Sequence, residues 1–326
     1  MPAATPAPSS AAPGSPVSGT QYLLERGTVR AEIASLGAAL RSLSVSGTLL
    51  TEQVGSDIVA PMGCGLVLAP WPNRVRDAVW LLDGEPQLLD ITEPALDNAS
   101  HGLLRNTGYR LLERRDDAVT LGALIAPQHG WPFLLDTAVR YALGDDGITV
   151  THSVTNLSGR PAPWAVGAHP YLRVGEVPSE QLTVTLTGAS RLELDARLTP
   201  VAVHRFDSGP LRPDDIDLRE GRPAAGLALN TGYGELANRD GRADIAWLDA
   251  PDGRRTTLWA DPEFGWIQAY TPSDFPRRGG PGFAIALEPM TAPPDALNSG
   301  TDLILLEPGR RWEASWGIRF SEGTTR

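Results

Sequence analysis

The stretch Leu134-Leu135-Asp136-Thr137-Ala138-Val139-Arg140-Tyr141-Ala142-Leu143-Gly144-Asp145-Asp146-Gly147-Ile148-Thr149-Val150-Thr151-His152-Ser153-Val154-Thr155-Asn156 decides the fold class. Two runs rich in β-branched and aromatic residues alternate apolar with polar, and Gly144-Asp145-Asp146-Gly147 between them is hairpin turn chemistry. The pattern therefore predicts antiparallel strands over 134–143 and 148–156. Similar short runs precede it at 21–30, 31–36, 39–45, 48–50 and 121–126. Others follow at 182–187, 191–194, 245–248, 256–260, 266–270, 283–287, 303–306 and 313–320, with Asp252-Gly253 as a further turn. Many short strands at regular spacing mean an all-β chain, a large antiparallel β-sandwich or barrel. No fixed repeat supports a propeller. A short helix is expected only near residues 213–218.

Composition agrees. Of 326 residues, 34 are Gly and 29 are Pro, which leaves little room for long helices. Residues 1–20 are nearly all Ala, Pro, Ser, Gly and Thr with no charged side chain, so they are read as a disordered tail without a secretory or membrane-spanning run. Residues 21–326 are expected to form a single domain, because no later composition shift marks a linker. No segment has membrane-spanning length without a charge, Pro or Gly, so the expected setting is cytoplasmic. Acidic residues outnumber basic ones 39 to 28 and the net charge is −11, which argues against a nucleic-acid partner. Every basic residue is Arg; the absence of Lys removes Schiff-base chemistry, pyridoxal attachment and a phosphate-loop lysine. The single cysteine, Cys64, can form neither an intrachain disulfide nor a cysteine metal cage and reads as a core residue.

Four segments carry polar residues in unusual company. In Ala69-Pro70-Trp71-Pro72-Asn73-Arg74-Val75-Arg76-Asp77, two prolines stiffen the approach to Arg74 and hold its guanidinium fork for hydroxyls or a carboxylate. In Asn98-Ala99-Ser100-His101-Gly102-Leu103, the glycine after His101 signals a loop tip with close backbone approach. In Trp164-Ala165-Val166-Gly167-Ala168-His169-Pro170-Tyr171-Leu172, an imidazole suited to proton transfer near neutrality sits between small residues and Pro, with aromatics on both sides. In Phe283-Ala284-Ile285-Ala286-Leu287-Glu288-Pro289-Met290-Thr291, five apolar residues run into a carboxylate, which is expected at the end of a buried strand with its pKa raised by desolvation. Each has a plainer reading as a turn arginine, a loop or core histidine, or a glutamate marking a strand exit. Aromatics near such groups suit a pyranose, whose C–H face stacks on rings while polar side chains bond its hydroxyl rim. Trp71, Trp164 and Tyr171 are the candidates.

Taken in order, Pro72-Asn73-Arg74 with Arg76-Asp77, Asn98 to Leu103, Gly167 to Tyr171 and Leu287-Glu288-Pro289-Met290-Thr291 resemble the aldose 1-epimerase (galactose mutarotase) family. The resemblance runs from about residue 28 to about residue 320. It implies a galactose mutarotase-like supersandwich, a monosaccharide substrate bound in an open cleft, no metal and no organic cofactor; separately, no membrane partner is expected, and the chain is expected to be a monomer or homodimer. It assigns the general base to Glu288, the general acid to His169 and substrate binding to Arg74 and His101. The family's further sugar-binding Asp has its nearest counterpart in Asn230-Thr231-Gly232-Tyr233, so Asn230 stands in that place. An amide bonds a hydroxyl but cannot accept from two as a carboxylate does. The alternatives are a hexose-6-phosphate 1-epimerase, using Arg76, Arg105 and Arg173 on the phosphate; a non-catalytic carbohydrate-binding or sensing protein; and a glycoside hydrolase drawing a second carboxylate from Asp249, Asp261 or Glu263.

Overall fold

A computed structural model of the chain describes residues 16–209, 216–277 and 279–323. Nine strands form one antiparallel sheet, in the order Arg110–Arg114, Ala118–Ile125, Leu135–Leu143, Gly147–Asn156, Arg311–Ser321, Arg255–Ala260, Ala243–Asp249, Thr183–Leu186 and Arg222–Pro223. Its third and fourth strands are the hairpin expected from the sequence: Leu143 pairs with Ile148, and the Gly144 N–H donates to the Gly147 carbonyl across the turn at 2.9 Å. A second antiparallel sheet runs Pro200–Arg205, Ser190–Leu194, Asn230–Gly234, Trp266–Tyr270, Ile285–Met290, Gly167–Ala168 and Val67–Leu68, with Tyr171–Leu172 also pairing on Ile285–Met290. A four-stranded sheet over residues 21–49 completes the main body. The chain is all-β, and the only α-helix among the described residues is the single turn Ala296–Ser299.

The core lies between the two large sheets. Val139, Tyr141, Val150 and Ile318 from one meet Tyr233, Ile267, Ala269, Ile285 and Leu287 from the other in a single buried cluster. Strand residues alternate faces, so these positions commit every second residue of the eight-stranded sheet to the core. The opposite face is left to Asn230, Gln268, Tyr270 and Glu288. This one parity choice positions the site.

Three expectations shift. The run 21–30 is two strands, Gln21–Arg26 and Val29–Ala34, because the chain turns at Gly27-Thr28. Glu288 does not end its strand: Ile285–Met290 continues past it, with Pro289 opposite Ile267. Residues 1–15 of the expected tail, and residues 213–215 of the expected helix, lie outside the described residues; 216–218 form no helix. Ser18 is already buried, and its hydroxyl donates to the Ser56 carbonyl at 3.2 Å.

One buried histidine belongs to the core alone. His152 sits on Gly147–Asn156, where its Nε2 accepts a hydrogen bond from the Trp316 indole N–H at 3.0 Å. Burial lowers its pKa to about 3. Between pH 6.5 and 3 the unfolded chain takes up a proton there that the folded chain refuses, so stability falls as pH falls through that window. His152→Gln retains an acceptor for Trp316 and does not titrate. Its unfolding free energy should therefore lose about 1.4 kcal/mol less per pH unit between pH 6 and 4 than the wild type. Urea unfolding at several pH values measures this, and parallel slopes for the two proteins would contradict it.

Candidate active site

Short backbone pairings bring the four motifs together. Arg74–Val75 pairs with Ala99–Ser100, and the His101 N–H donates to the Asn73 carbonyl at 2.7 Å. Gly167 pairs with both Leu68 and Met290, while Tyr171–Leu172 pairs with Ala286 and Ile285. The close approach expected at Gly102 is real: φ is +70°, and a Cβ there would fall 2.1 Å from the Ala69 carbonyl oxygen. That contact holds the His101 loop against the Pro70-Trp71-Pro72 segment.

The result is a cavity of about 340 Å³ whose walls include Arg74, His101, His169, Asn230 and Glu288. Five residues read from the sequence thus meet in one place. His169 Nε2 lies 3.4 Å from Glu288 Oε1. Glu288 is 2% exposed and His169 4%. Glu288 Oε2 and His169 Nδ1 are buried without a hydrogen-bond partner, as is Nδ1 of His101, whose ring meets His169 edge-on at 5.4 Å. Burial raises the Glu288 pKa to about 8 against the opposing field of Arg74. Burial, helped by Arg105 and Arg74, lowers that of His169 to about 3. His101 is also driven well below the ordinary imidazole value, first by burial and then by His169 and the two arginines. Near neutrality these shifts favour a neutral imidazole beside a protonated carboxyl, two groups in near contact.

The sugar-stacking candidates fare differently. Trp71 is a core residue rather than a cavity wall: it is 2% exposed and its ring packs against Trp131 at 5.9 Å. Trp164 is likewise buried, against Trp312. An indole has more apolar area to remove from water than a cleft wall would cover. Tyr171 is fully buried behind His169, its ring stacked on the imidazole at 5.1 Å and its hydroxyl donating to the Met62 carbonyl at 3.2 Å. It braces the imidazole from behind. On the same ring, Gly63 has φ +74° and a Cβ there would come within 2.9 Å of His169 Cδ2, so a bare Cα is needed.

Several walls were not read from the sequence as site residues. Gln268 is the cross-strand partner of Glu288 and Tyr270 that of Asn230, so all four point to the cavity side. Gln268 Nε2 donates to Asn230 Oδ1 at 2.8 Å, and its own Oε1 is buried and unpaired. Glu93 accepts from Arg74 Nε at 2.7 Å and Nη2 at 2.8 Å. The alternation in Trp266-Ile267-Gln268-Ala269-Tyr270 would have put Gln268 and Tyr270 on one face, but the register against Glu288 is set across the loop 271–284 and has no local signal. Of the three arginines considered for a phosphate, only Arg105 lines the cavity; Arg76 pairs with Asp195 and Arg173 with Glu52. Asp249 is engaged by Arg255 and Asp261 by Arg242, and neither they nor Glu263 are part of the wall.

The fold is that of a galactose mutarotase-like β-sandwich. The sequence profile of aldose 1-epimerases matches residues 20–319, and the chain belongs to that family. The uncharacterized protein YihR of Escherichia coli K12 is 29% identical over 294 residues, 90% of this chain and 91% of its own. Among solved structures, the GalM/aldose epimerase homologue from C. elegans superposes with a TM-score of 0.80 at 16% identity, covering 94% of this chain and 100% of its own. Galactose 1-epimerase from Lactobacillus acidophilus NCFM superposes with a TM-score of 0.75 at 16% identity, covering 93% and 95%. Among the described residues, no helix is long and apolar enough to cross a membrane.

Proposed function

We propose that the protein interconverts the α and β anomers of an aldose, with Glu288 and His169 as the paired proton carriers. The observation that carries this reading is their 3.4 Å approach in a sugar-sized cavity, each with a buried polar atom left without a partner. A pyranose is a hemiacetal, so exchanging its anomers means opening the ring. Glu288 as carboxylate removes the proton from the C1 hydroxyl. The freed electron pair forms the C1 carbonyl as the bond from C1 to the ring oxygen breaks, and His169 as imidazolium protonates that oxygen. Rotation about C1–C2 presents the other carbonyl face, and reclosure runs both transfers in reverse. The productive charged pair is an isomer of the neutral pair: one proton moves from carboxyl to imidazole, and the number of protons is unchanged. Each well-placed transfer is worth roughly 10²–10⁴-fold. Arg74, His101 and Asn230 bind the hydroxyl rim.

Polarimetry on freshly dissolved α-glucose and α-galactose tests the reading directly. The decay of rotation should accelerate in proportion to protein concentration for at least one of them or for a related aldose. Binding without acceleration across a panel of aldoses would favour a sugar sensor. One observation favours a second reading, an aldose bearing an anionic group such as a 6-phosphate: Arg105 lines the cavity and makes no ion pair among the described residues, while its Nε is buried and unbonded. Inhibition by a sugar phosphate well below the concentration of free sugar needed for the same effect would select it.

A further inference from the structure

The guanidinium whose field reaches Glu288 is already held by another carboxylate. Glu93 takes both prongs of Arg74, Nε at 2.7 Å and Nη2 at 2.8 Å, while Nη1 donates to Asn73 Oδ1 at 3.1 Å. This is the two-pronged geometry in which guanidinium and carboxylate bind each other best. The loop carrying Glu93 is not loosely hung. The N–H groups of Thr92 and Glu93 donate to the Asn98 carbonyl at 3.1 and 3.0 Å, and the Thr92 hydroxyl accepts from the Ser100 N–H at 2.8 Å. The Arg74 side chain is only 12% exposed, so its charge needs a partner close by. Glu288 is the other carboxylate on the same cavity wall. A guanidinium paired with Glu288 would hold it ionised and hydrogen-bonded, unable to accept the sugar's proton.

We propose that Glu93 is a positioning residue: by occupying both prongs of Arg74 it keeps that guanidinium off Glu288, and so preserves Glu288 as the base. The inference rests on the functional reading above. The other ionisable groups around Glu288 are Tyr171 and Tyr270 on neighbouring strands, His169 in the link between Gly167–Ala168 and Tyr171–Leu172, and His101 and Arg105 on the cavity wall. Arg74 is the one whose field opposes burial there and lowers the carboxyl's pKa.

The test is the pH profile of anomer exchange in the full-length protein. Glu93→Gln keeps the shape of the side chain and removes its charge. With Arg74 released, the fall in activity on the alkaline side should move at least about one pH unit toward acid, the scale of a close opposite charge. The turnover rate should fall at least roughly tenfold, since an engaged carboxylate is a poor base. Glu93→Asp, which keeps the charge, should return the limb to near its wild-type position. In an Arg74→Leu background, Glu93→Gln should move the limb no further. A folded Glu93→Gln protein with the limb unmoved overturns the inference alone, as does a shift that persists undiminished without Arg74. If Glu93→Gln fails to fold, Glu93→Ala, which also removes the charge, is judged by the same two criteria. A wild type that exchanges no aldose overturns both this inference and the functional reading.

Discussion

Glu288→Gln should bind its sugar nearly as the wild type does and exchange anomers about 10²–10⁴-fold more slowly. The amide has the size of the carboxyl and replaces a group that burial already holds protonated near neutrality, its pKa raised to about 8. Little in the cavity need move, and the sugar hydrogen bonds proposed for Arg74, His101 and Asn230 should survive. What disappears is the site that takes the C1 proton. Stability should move the other way. In the unfolded chain this carboxyl ionises near 4.5, whereas in the folded chain it resists until about 8. Folding therefore loses free energy at Glu288 as pH rises from 4.5 through 8, at up to about 1.4 kcal/mol per unit. The amide avoids that loss, so the variant should be the more stable protein at pH 8 and no more stable at pH 4. A slow, well-folded enzyme with a flattened alkaline limb of stability is the signature of a catalytic carboxylate held where it costs stability. Polarimetry for rate, calorimetry for sugar binding and urea unfolding at pH 4 and 8 give the three readings. A rate within threefold of wild type would remove Glu288 from the mechanism.

The hairpin around residues 144–147 was legible because its pattern is local: period-2 alternation on both sides of a Gly-Asp-Asp-Gly turn survives any packing. The motifs around Arg74, His101, His169 and Glu288 were legible for a different reason, since each sets an unusual polar residue among prolines, glycines or a continuous apolar run. Trp71 was misplaced because an indole between two prolines fits a stacking wall and a core equally well; burial against Trp131 takes the larger apolar area. Glu93 and Gln268 left no trace that sequence could show. Their roles come from pairing between residues 19 positions apart in the chain and from strand register across the sheet. Such residues are fixed by the fold as a whole, and a motif search cannot find them.

Replacing His169 tests the other half of the pair, and here the shape of the pH profile says more than the rate. His169→Gln should lower anomer exchange by about 10²–10⁴-fold through loss of the acid that protonates the ring oxygen. In the wild type, the active form is the pair with one proton. It gains a second only near the depressed value of about 3 at His169, and loses its last near the elevated value of about 8 at Glu288. These limits belong to the pair rather than to either residue. Catalytic efficiency in the wild type should accordingly be level through neutrality and decline above about pH 8. On the acid side the decline should begin earlier than the pair alone requires, because His152 and His169 are buried and held neutral and the fold itself loses stability there. Without the imidazole, residual catalysis depends on Glu288 acting alone as a base, and a base works only once it has lost its proton. The variant's residual rate, corrected for spontaneous exchange, should therefore rise with pH over the interval in which the wild type's falls. The opposite slopes of the two profiles do not depend on the absolute rates, so the contrast survives partial loss of binding or folding. Parallel profiles would mean that the imidazole and the carboxyl do not share a proton.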